Sequence, residues 1–225
     1  MSIEGEINKL LFILRIKKNP NFFLKKISGI IHVGANEGQE REKYKNNSLE
    51  VLWIEPIPEV FDQLKINIKN YKKQKALRYL LLDKDDKKIL FKIANNRGAS
   101  SSIFDFGLHT KIWPGVNYTK TIKLKSSRLT TMINNEKIDL KKFQALLLDT
   151  QGSELLVLKG ATEILKNFNF IITEAADFDS YIGGCKIEEL SKFLKTYGFK
   201  QVLKTKFAHH PKAGNYYDVI YEKNK

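Results

Sequence analysis

A glycine-containing loop, GANEG from Gly34 to Gly38, directly follows a short apolar run at residues 30–33. A nucleotide that approaches the end of a parallel strand needs backbone without obstructing Cβ atoms and a tight turn into the next helix. Gly34 and Gly38 meet both needs. Asn36 stands between them, and asparagine is the non-glycine residue that best tolerates left-handed dihedral angles. The glycines alone are also compatible with an ordinary strand-to-helix turn.

An acidic residue strengthens the interpretation of this loop as a ligand site. Glu55 ends a second apolar run at residues 51–54 and lies 21 positions after Gly34. A carboxylate at that place accepts hydrogen bonds from the two ribose hydroxyls of a bound nucleoside. The loop and Glu55 together predict a nucleoside-containing cofactor. The sequence has no G-x-G-x-x-G arrangement, which disfavours a nicotinamide-dependent oxidoreductase because its pyrophosphate-cradling loop is lacking.

Two further acids follow apolar runs later in the chain. Asp149 comes after residues 145–148, and Glu174 comes after residues 170–173. Ligands of open α/β sheets lie at the carboxyl ends of the strands, so we predict that both acids take part in catalysis. Asp149 is the candidate for the junction between cofactor and acceptor, with Glu154 shaping the loop beside it. The alternatives are a helix N-cap for Asp149 and a structural salt bridge for Glu174.

His109 is the third candidate catalytic residue. It lies in a long polar connection, residues 95–115, near Trp113 and Tyr118, and this composition suits a sugar-binding lid. Histidine has a pKa suited to general-base chemistry. An exposed loop histidine without a role is an equal alternative. No spacing of acids, histidines or cysteines demands a metal ion, so we predict no metal site.

The elements that must position these residues follow from alternating apolar and amphipathic segments. Predicted strands are residues 30–33, 51–54, 77–82, 145–148 and 170–173, and helices are predicted to begin near Pro58, Ser153 and Ile187. This alternation predicts an α/β fold, a mostly parallel, doubly wound sheet. Two edge strands at 88–93 and 121–125 and an antiparallel C-terminal hairpin formed by 201–203 and 216–221 are predicted to accompany it. We expect a single domain, which occupies residues 29–225 and is preceded by an N-terminal helical extension over residues 1–28.

Composition restricts the class of protein. The 225 residues include one cysteine, Cys185, which excludes a disulfide framework and a thiolate zinc site and fits a cytoplasmic location. No segment resembles a targeting signal or a membrane span. Ile7, Leu10, Leu11 and Leu14 share one helix face, which favours packing on the core over contact with a membrane surface. The net charge of +14 suggests an anionic partner, but only five of the basic residues are arginines.

The motifs resemble those of the FkbM-type methyltransferases. The D-V-G-A-N-x-G loop of that family corresponds to residues 32–38, its acidic E-P-x-P second strand to residues 55–58, and its D-V-E-G-x-E-x-x-V-L-K-G-A element to residues 149–161. The Ser-rich segment at residues 98–103 and the segment at residues 130–133 also resemble family features. The third motif is long and specific, and the similarity extends from about residue 29 to residue 174.

The resemblance implies a Rossmann-like class I fold and transfer of a methyl group from S-adenosylmethionine to a hydroxyl, often one of a sugar in a glycan or natural product. A small molecule or glycan is thus the expected acceptor. The predicted cofactor-binding residues are His32, Gly34, Asn36, Gly38, Glu55, Asp83, Ser102 and Asp149. Two positions depart from the family pattern, because His32 replaces an aspartate and Gln151 replaces a glutamate.

Two alternatives to glycan methylation remain open. The basic net charge suggests an RNA methyltransferase, although arginine is scarce and no aromatic–basic stacking motif is recognisable. The departures at His32 and Gln151 suggest a nucleoside-binding module that has lost catalysis. Cofactor binding without turnover would distinguish this module from an enzyme.

Overall fold

Twelve strands and six α-helices make up the part of the chain that the computed structural model describes, residues 19–224. In chain order the strands are β1 (Gly29–Val33), β2 (Glu50–Ile54), β3 (Gln74–Leu77), β4 (Leu80–Leu81), β5 (Lys88–Ala94), β6 (Asp105–Phe106), β7 (Tyr118–Ser127), β8 (Ala145–Leu148), β9 (Phe170–Ala176), β10 (Tyr181–Ile182), β11 (Phe199–His210) and β12 (Gly214–Lys223). The helices are α1 (Arg41–Asn46), α2 (Pro58–Ile68), α3 (His109–Ile112), α4 (Leu129–Asn135), α5 (Glu154–Lys159) and α6 (Ile187–Thr196). Single 3₁₀ turns occupy Phe22–Lys26, Leu140–Lys142 and Leu165–Asn167.

A seven-stranded sheet with the order β11-β12-β9-β8-β1-β2-β3 forms the centre of the fold. The five strands from β3 to β9 pair in parallel, and β12 and β11 are added antiparallel. All five residues of β1 are buried, as expected for a parallel strand covered on both faces. The predicted α/β class, the mostly parallel sheet and the C-terminal hairpin are therefore confirmed, and the hairpin is longer than predicted.

Helices begin and end where the sequence indicates. Pro58 is the first residue of α2, where its missing N–H is no loss. Ser153 is the N-cap residue of α5, and α6 is followed by Gly198 in the left-handed region. These helices connect strands that run in the same direction, so the carboxyl ends of β1, β2 and β8 lie side by side at one edge of the sheet.

The prediction of one strand at residues 77–82 is wrong. Strand β3 ends at Leu77, and β4 pairs in parallel with Ser126 and Ser127 of β7 in a different sheet. Leu80 and Leu81 take their strand partner from β7 and not from the central sheet, and the hydroxyl of Tyr79, which lies between β3 and β4, donates to Glu136 Oε1 at 2.8 Å. The apolar run at residues 77–82 therefore contributes strands to two different sheets.

The two predicted edge strands exist but do not border the central sheet. Strands β5 and β7 pair antiparallel with each other and, with β4, form a separate three-stranded sheet. The polar connection between β5 and β7 contains the single-turn helix α3 and the strand β6, which pairs with β10. These additions cover the carboxyl ends of the central strands.

Two apolar clusters fill the faces of the central sheet. One contains Leu129, Leu158 and Leu190 from α4, α5 and α6, and the other contains Tyr44 and Leu64 from α1 and α2 together with Phe23. Over residues 19–224 no helix is long and apolar enough to cross a membrane. The predicted helix face at Ile7, Leu10, Leu11 and Leu14 lies outside the described residues.

Candidate functional site

The loop after β1 is held open by backbone geometry. Gly34 has a φ of +80°, and the amides of Gly34 and Ala35 both donate to the Ile54 carbonyl at 3.0 Å. A Cβ at Gly34 would lie 1.8 Å from the carbonyl oxygen of Asp149, so no other residue fits there. Asn36 has a φ of +46°, in the left-handed region that the sequence suggested. The turn brings β1, β2 and β8 into direct contact.

Glu55 follows β2 and is only 4% exposed. Its Oε2 accepts from the Asn36 amide and its Oε1 from the Ile57 amide, both at 2.9 Å. Burial raises the pKa of this carboxyl to about 7, although the two backbone donors act against the shift. A carboxylate offers about four acceptor sites, so Glu55 retains acceptor capacity toward a ligand.

A cavity of about 240 Å³ lies at the carboxyl ends of these strands. Among the predicted cofactor-binding residues, the ones that line it are His32, Gly34, Asn36, Glu55 and Asp149. Its apolar wall comes from residues that sequence reasoning missed, including Ile57, Leu80, Leu81 and Phe91. Leu80 and Leu81 belong to the apolar run at residues 77–82, which the sequence analysis assigns to the central sheet.

Three predicted cofactor-binding residues do not line the cavity. A Cβ on Gly38 would lie 2.7 Å from the Leu64 side chain, so Gly38 serves the packing of α2. Ser102 is fully buried, and its hydroxyl donates to the Gln151 carbonyl at 2.7 Å. Asp83 lies outside the cavity lining. The structure thus brings together five of the eight predicted residues.

Asp149 stands at the centre of the site. Its carboxylate accepts a hydrogen bond from the Gln151 side-chain amide, and burial, with the charges of Glu154 and Glu40, raises its pKa to about 7. The N-cap alternative for Asp149 is wrong, because Ser153 occupies that position on α5. Glu154 is buried and accepts from the amides of Thr150 and Gly152, at 2.9 and 3.1 Å, which fixes the loop after Asp149.

A second cavity, of about 320 Å³, adjoins the first through shared residues His32, Glu40 and Asp149. Glu174 of β9 and Asp218 of β12 also line it, and they are direct cross-strand neighbours. Burial raises the pKa of Glu174 well above its usual range, and the charges of Asp149 and Asp218 act in the same direction. Within residues 19–224 Glu174 forms no salt bridge.

The structure corrects the expectation for His109. This residue is 2% exposed and lines neither cavity. Its Nδ1 lies 2.7 Å from the Tyr216 hydroxyl and its Nε2 lies 3.1 Å from Ser100 Oγ, so both ring nitrogens are engaged. Burial lowers its pKa to about 4. His109 is therefore neither an exposed loop residue nor a free base.

His109 belongs to a cluster of rings above the strand ends, which we call the aromatic cover. Its members are Phe106, His109, Trp113, Tyr118, Tyr181 and Tyr216. Phe106 stacks on His109 and Tyr118 with ring centroids 5.0 and 4.0 Å apart. The cover joins the connection between β5 and β7 to the β10 segment and to β12, so it roofs the region beside Asp149.

His32 lines both cavities as a neutral ring. It is 4% exposed, its Nδ1 lies 3.2 Å from the Tyr44 hydroxyl, and its ring packs on Trp53 with centroids 4.9 Å apart. Burial lowers its pKa to about 4. No group of three or more histidines, cysteines, aspartates or glutamates in residues 19–224 is arranged to hold a metal ion.

Comparison with known protein families gives one match, in which a model described as the methyltransferase FkbM domain covers residues 32–201. A comparison with curated proteins gives no match. The family match spans the loop after β1, Glu55, Asp149 and Glu174, while Asp218 and Tyr216 lie beyond its end.

Solved structures share the fold at low sequence identity. TrmK from M. capricolum, in complex with S-adenosyl-homocysteine, aligns with a TM-score of 0.52 and 10% identity, over 92% of this chain and 68% of that chain. The METTL16 MTase domain aligns with a TM-score of 0.53 and 11% identity, over 96% and 68%. Sp1610 of Streptococcus pneumoniae, a putative tRNA (m1A22) methyltransferase, aligns with 0.50 and 10%, over 90% and 71%. The shared architecture is the class I methyltransferase fold.

Proposed function

The chain belongs to the FkbM methyltransferase family, whose cofactor is S-adenosylmethionine, and from that premise we propose that it methylates a hydroxyl group of a sugar or glycan. The observation that carries the proposal is the buried Asp149 carboxyl, which lies between two adjoining cavities and has a pKa of about 7. A group with that pKa can accept a hydroxyl proton near neutral pH.

The lining of the first cavity fits the cofactor. Glu55 has acceptor capacity for ribose hydroxyls, and the apolar wall that includes Leu81 and Phe91 suits a flat purine ring. Asp149 and Glu40 place negative charge where the cationic part of the cofactor needs it. The Thr150 hydroxyl is buried and is without a partner among the described residues, which leaves one polar atom for a ligand to satisfy.

The residues of the chain mainly align the acceptor and take up its proton. S-adenosylmethionine, when bound, supplies a methyl group that its positive sulfur makes electrophilic. Asp149 would accept the hydroxyl proton while the acceptor oxygen bonds to the methyl carbon and the bond from that carbon to sulfur breaks, which leaves S-adenosylhomocysteine. Glu174, on the far side of the second cavity, is suited to hold a neighbouring hydroxyl of the acceptor by a hydrogen bond.

The charge of the second cavity supports a neutral acceptor. Glu40, Asp149, Glu174 and Asp218 line it, with Lys43 as a basic member. Lys43 is the one basic residue among the described residues that line this cavity, so it offers little positive charge to the phosphate backbone of a nucleic acid, even though the whole chain carries a net charge of +14. RNA methylation, the second candidate, rests on that overall charge and is included in the test.

The test is a transfer assay with S-adenosylmethionine that carries a deuterated methyl group, followed by mass spectrometry of the acceptors. The panel contains neutral sugars and oligosaccharides, acidic glycans and total RNA. Methyl-labelled sugar, located on oxygen by fragmentation, supports the proposal. Label in RNA alone would replace it with the second candidate. Binding of S-adenosylmethionine without label in any acceptor would favour a binding module.

Substitution of Asp149 by asparagine tests its role in proton removal. We expect Asp149→Asn to lower turnover by roughly 10²–10⁴-fold, because general-base catalysis typically contributes that factor. The affinity for S-adenosylhomocysteine should change much less. The matched control is Asp139→Asn, whose side chain caps a surface 3₁₀ turn and lies outside both cavities. Equal turnover of the two variants would contradict the assignment.

A further inference from the structure

Gln151 connects Asp149 to the aromatic cover. Its side-chain amide donates to Asp149 Oδ1, and its side-chain oxygen accepts from the Tyr181 hydroxyl at 2.6 Å. Its backbone carbonyl accepts from the Ser102 hydroxyl at 2.7 Å. Both polar groups of the Gln151 side chain are thus hydrogen-bonded, the amide nitrogen to Asp149 and the oxygen to Tyr181 on a different segment. Gln151 holds this position with a φ of +53°, a conformation that side-chain-bearing residues adopt rarely and at a cost in energy.

We propose that Gln151 is a positioning residue, which orients the Asp149 carboxylate and ties it to Tyr181 of the aromatic cover. The inference rests on the proposed function only in that Asp149 is the proton acceptor there. With Oδ1 held by the amide, Oδ2 is the oxygen left for the acceptor hydroxyl. The bond to Tyr181 fixes the amide in the orientation that presents N–H, rather than oxygen, to Asp149.

Tyr181 is a firm anchor for this arrangement. It is 2% exposed, and its ring packs beside Phe106 and His109, with centroids 5.7 and 5.0 Å away. A Cβ on Gly152 would lie 3.1 Å from the Tyr181 side chain, so the ring rests directly on the loop that follows Gln151. The position of the Tyr181 hydroxyl is therefore set by packing, and Gln151 transmits that position to Asp149.

The charges around Asp149 explain why an amide donor matters there. The acidic groups that face it are Glu40 before α1, Glu55 after β2, Glu154 on α5, Glu174 on β9 and Asp218 on β12, while the His32 ring of β1 is neutral. Within the described part of the chain, the side chain that donates a hydrogen bond to the Asp149 carboxylate is the Gln151 amide. Removal of this donor disfavours the ionised carboxylate, and so does a further negative charge at position 151.

The experiment measures the titration of Asp149 directly in cofactor-free protein. Carboxyl carbons are observed by ¹³C NMR, and the Asp149 signal is assigned by its loss in Asp149→Asn. Gln151→Met keeps the length of the side chain and removes both hydrogen bonds, and Gln151→Glu adds a charge. Tyr181→Phe removes only the hydroxyl that orients the amide. Gln63→Met is the matched control, because Gln63 is exposed and bonds only to Asn67.

We expect Gln151→Met to raise the pKa of Asp149 by about one unit and Gln151→Glu to raise it further. Tyr181→Phe should raise it by a smaller amount, and Gln63→Met should leave it unchanged. In turnover assays the acidic limb of the pH profile should move by the same amount, with little change in affinity for S-adenosylhomocysteine.

An Asp149 pKa that is the same in wild type and in folded Gln151→Met would overturn the proposal. If Gln151→Met does not fold, Tyr181→Phe decides, because its ring packing is preserved, and an unchanged pKa there overturns the proposal equally. The titration needs no methyl transfer. A failure to methylate any hydroxyl would therefore contradict the proposed function while leaving this result intact.

Discussion

Buried carboxyls dominate the site at the scale of single residues. Glu55 and Asp149 both have pKa values raised to about 7 by burial, and each is fixed by hydrogen bonds from its own neighbourhood. Such values are typical of functional sites, because a carboxyl that titrates near neutral pH can bind polar groups or exchange protons there. We propose separate roles for the two residues, in which Glu55 holds the cofactor and Asp149 receives a proton.

The role of Glu55 predicts a loss of cofactor affinity in Glu55→Ala. The variant removes the acceptor for the ribose hydroxyls and leaves the Asn36 and Ile57 amides without their partner. We expect the dissociation constant for S-adenosylmethionine to rise by roughly 10–100-fold, measured by isothermal titration. Glu50→Ala, at the opposite end of β2, is the control. Equal affinities of the two variants would remove Glu55 from the cofactor site.

Sequence spacing predicted some of these residues and not others, for a physical reason. Glu55 and Asp149 could be found because an acid at the carboxyl end of a parallel strand has a position that the strand itself defines. The burial of His109 could not be predicted, because its partners Ser100 and Tyr216 are 9 and 107 positions away and only the tertiary fold brings them together. Asp218 and Phe91 were missed for the same reason, since they come from strands of the hairpin and of the separate sheet.

Strand ends and the turns after them determine the geometry at the scale of elements. The central sheet was predictable because apolar runs such as β1 and β8 are buried on both faces and separated by helices. The division of residues 77–82 between two sheets was not, because the partner of β4 is β7, a strand that is distant in the sequence. The strand β4 then supplies part of the apolar wall of the first cavity.

The close approach of β1 to β8 predicts that Gly34→Ala is severely destabilising. The new Cβ would lie 1.8 Å from the Asp149 carbonyl oxygen, at a residue whose φ is +80°. We expect the free energy of unfolding to fall by about 3 kcal/mol or more in urea titrations, with loss of cofactor binding. Gly115→Ala is the control, because nothing lies within 4 Å of its added Cβ, and it should change stability by less than about 0.5 kcal/mol. Similar stability of both variants would contradict the described packing.

At the scale of the whole molecule, a basic chain encloses an acidic centre. The sequence carries a net charge of +14, yet Glu40, Asp149, Glu174 and Asp218 meet in one cavity between β1, β8, β9 and β12. Folding removes several of these carboxyls from water and raises their pKa values. The fold therefore gathers acidic groups that hold their protons to higher pH than usual, and this arrangement should appear in the pH dependence of stability.

Between about pH 6.5 and pH 8 the cofactor-free protein should lose about 1–2 kcal/mol of unfolding free energy. Asp149 and Glu55 bind protons more tightly when folded, so their stabilising contribution is present at low pH and is lost as the pH rises through about 7. His32 and His109, with pKa values lowered to about 4, act in the opposite sense, but only below their usual value of 6.5. Urea titrations across this range measure the slope.

The double variant Asp149→Asn with Glu55→Gln is the control for this dependence. Its side chains keep their size and do not titrate, so its unfolding free energy should vary much less over the same range of pH. An equal slope in the wild type and the double variant would show that other groups cause the dependence.

The central claim is that this site binds S-adenosylmethionine, and isothermal titration of the purified protein tests it most directly. S-adenosylmethionine and S-adenosylhomocysteine are titrated separately, with NADH as the control ligand, since the chain lacks a pyrophosphate-cradling loop. We expect S-adenosylmethionine and S-adenosylhomocysteine to bind with dissociation constants on the order of micromolar, and NADH not to bind. Folded protein that binds neither S-adenosylmethionine nor S-adenosylhomocysteine would contradict it.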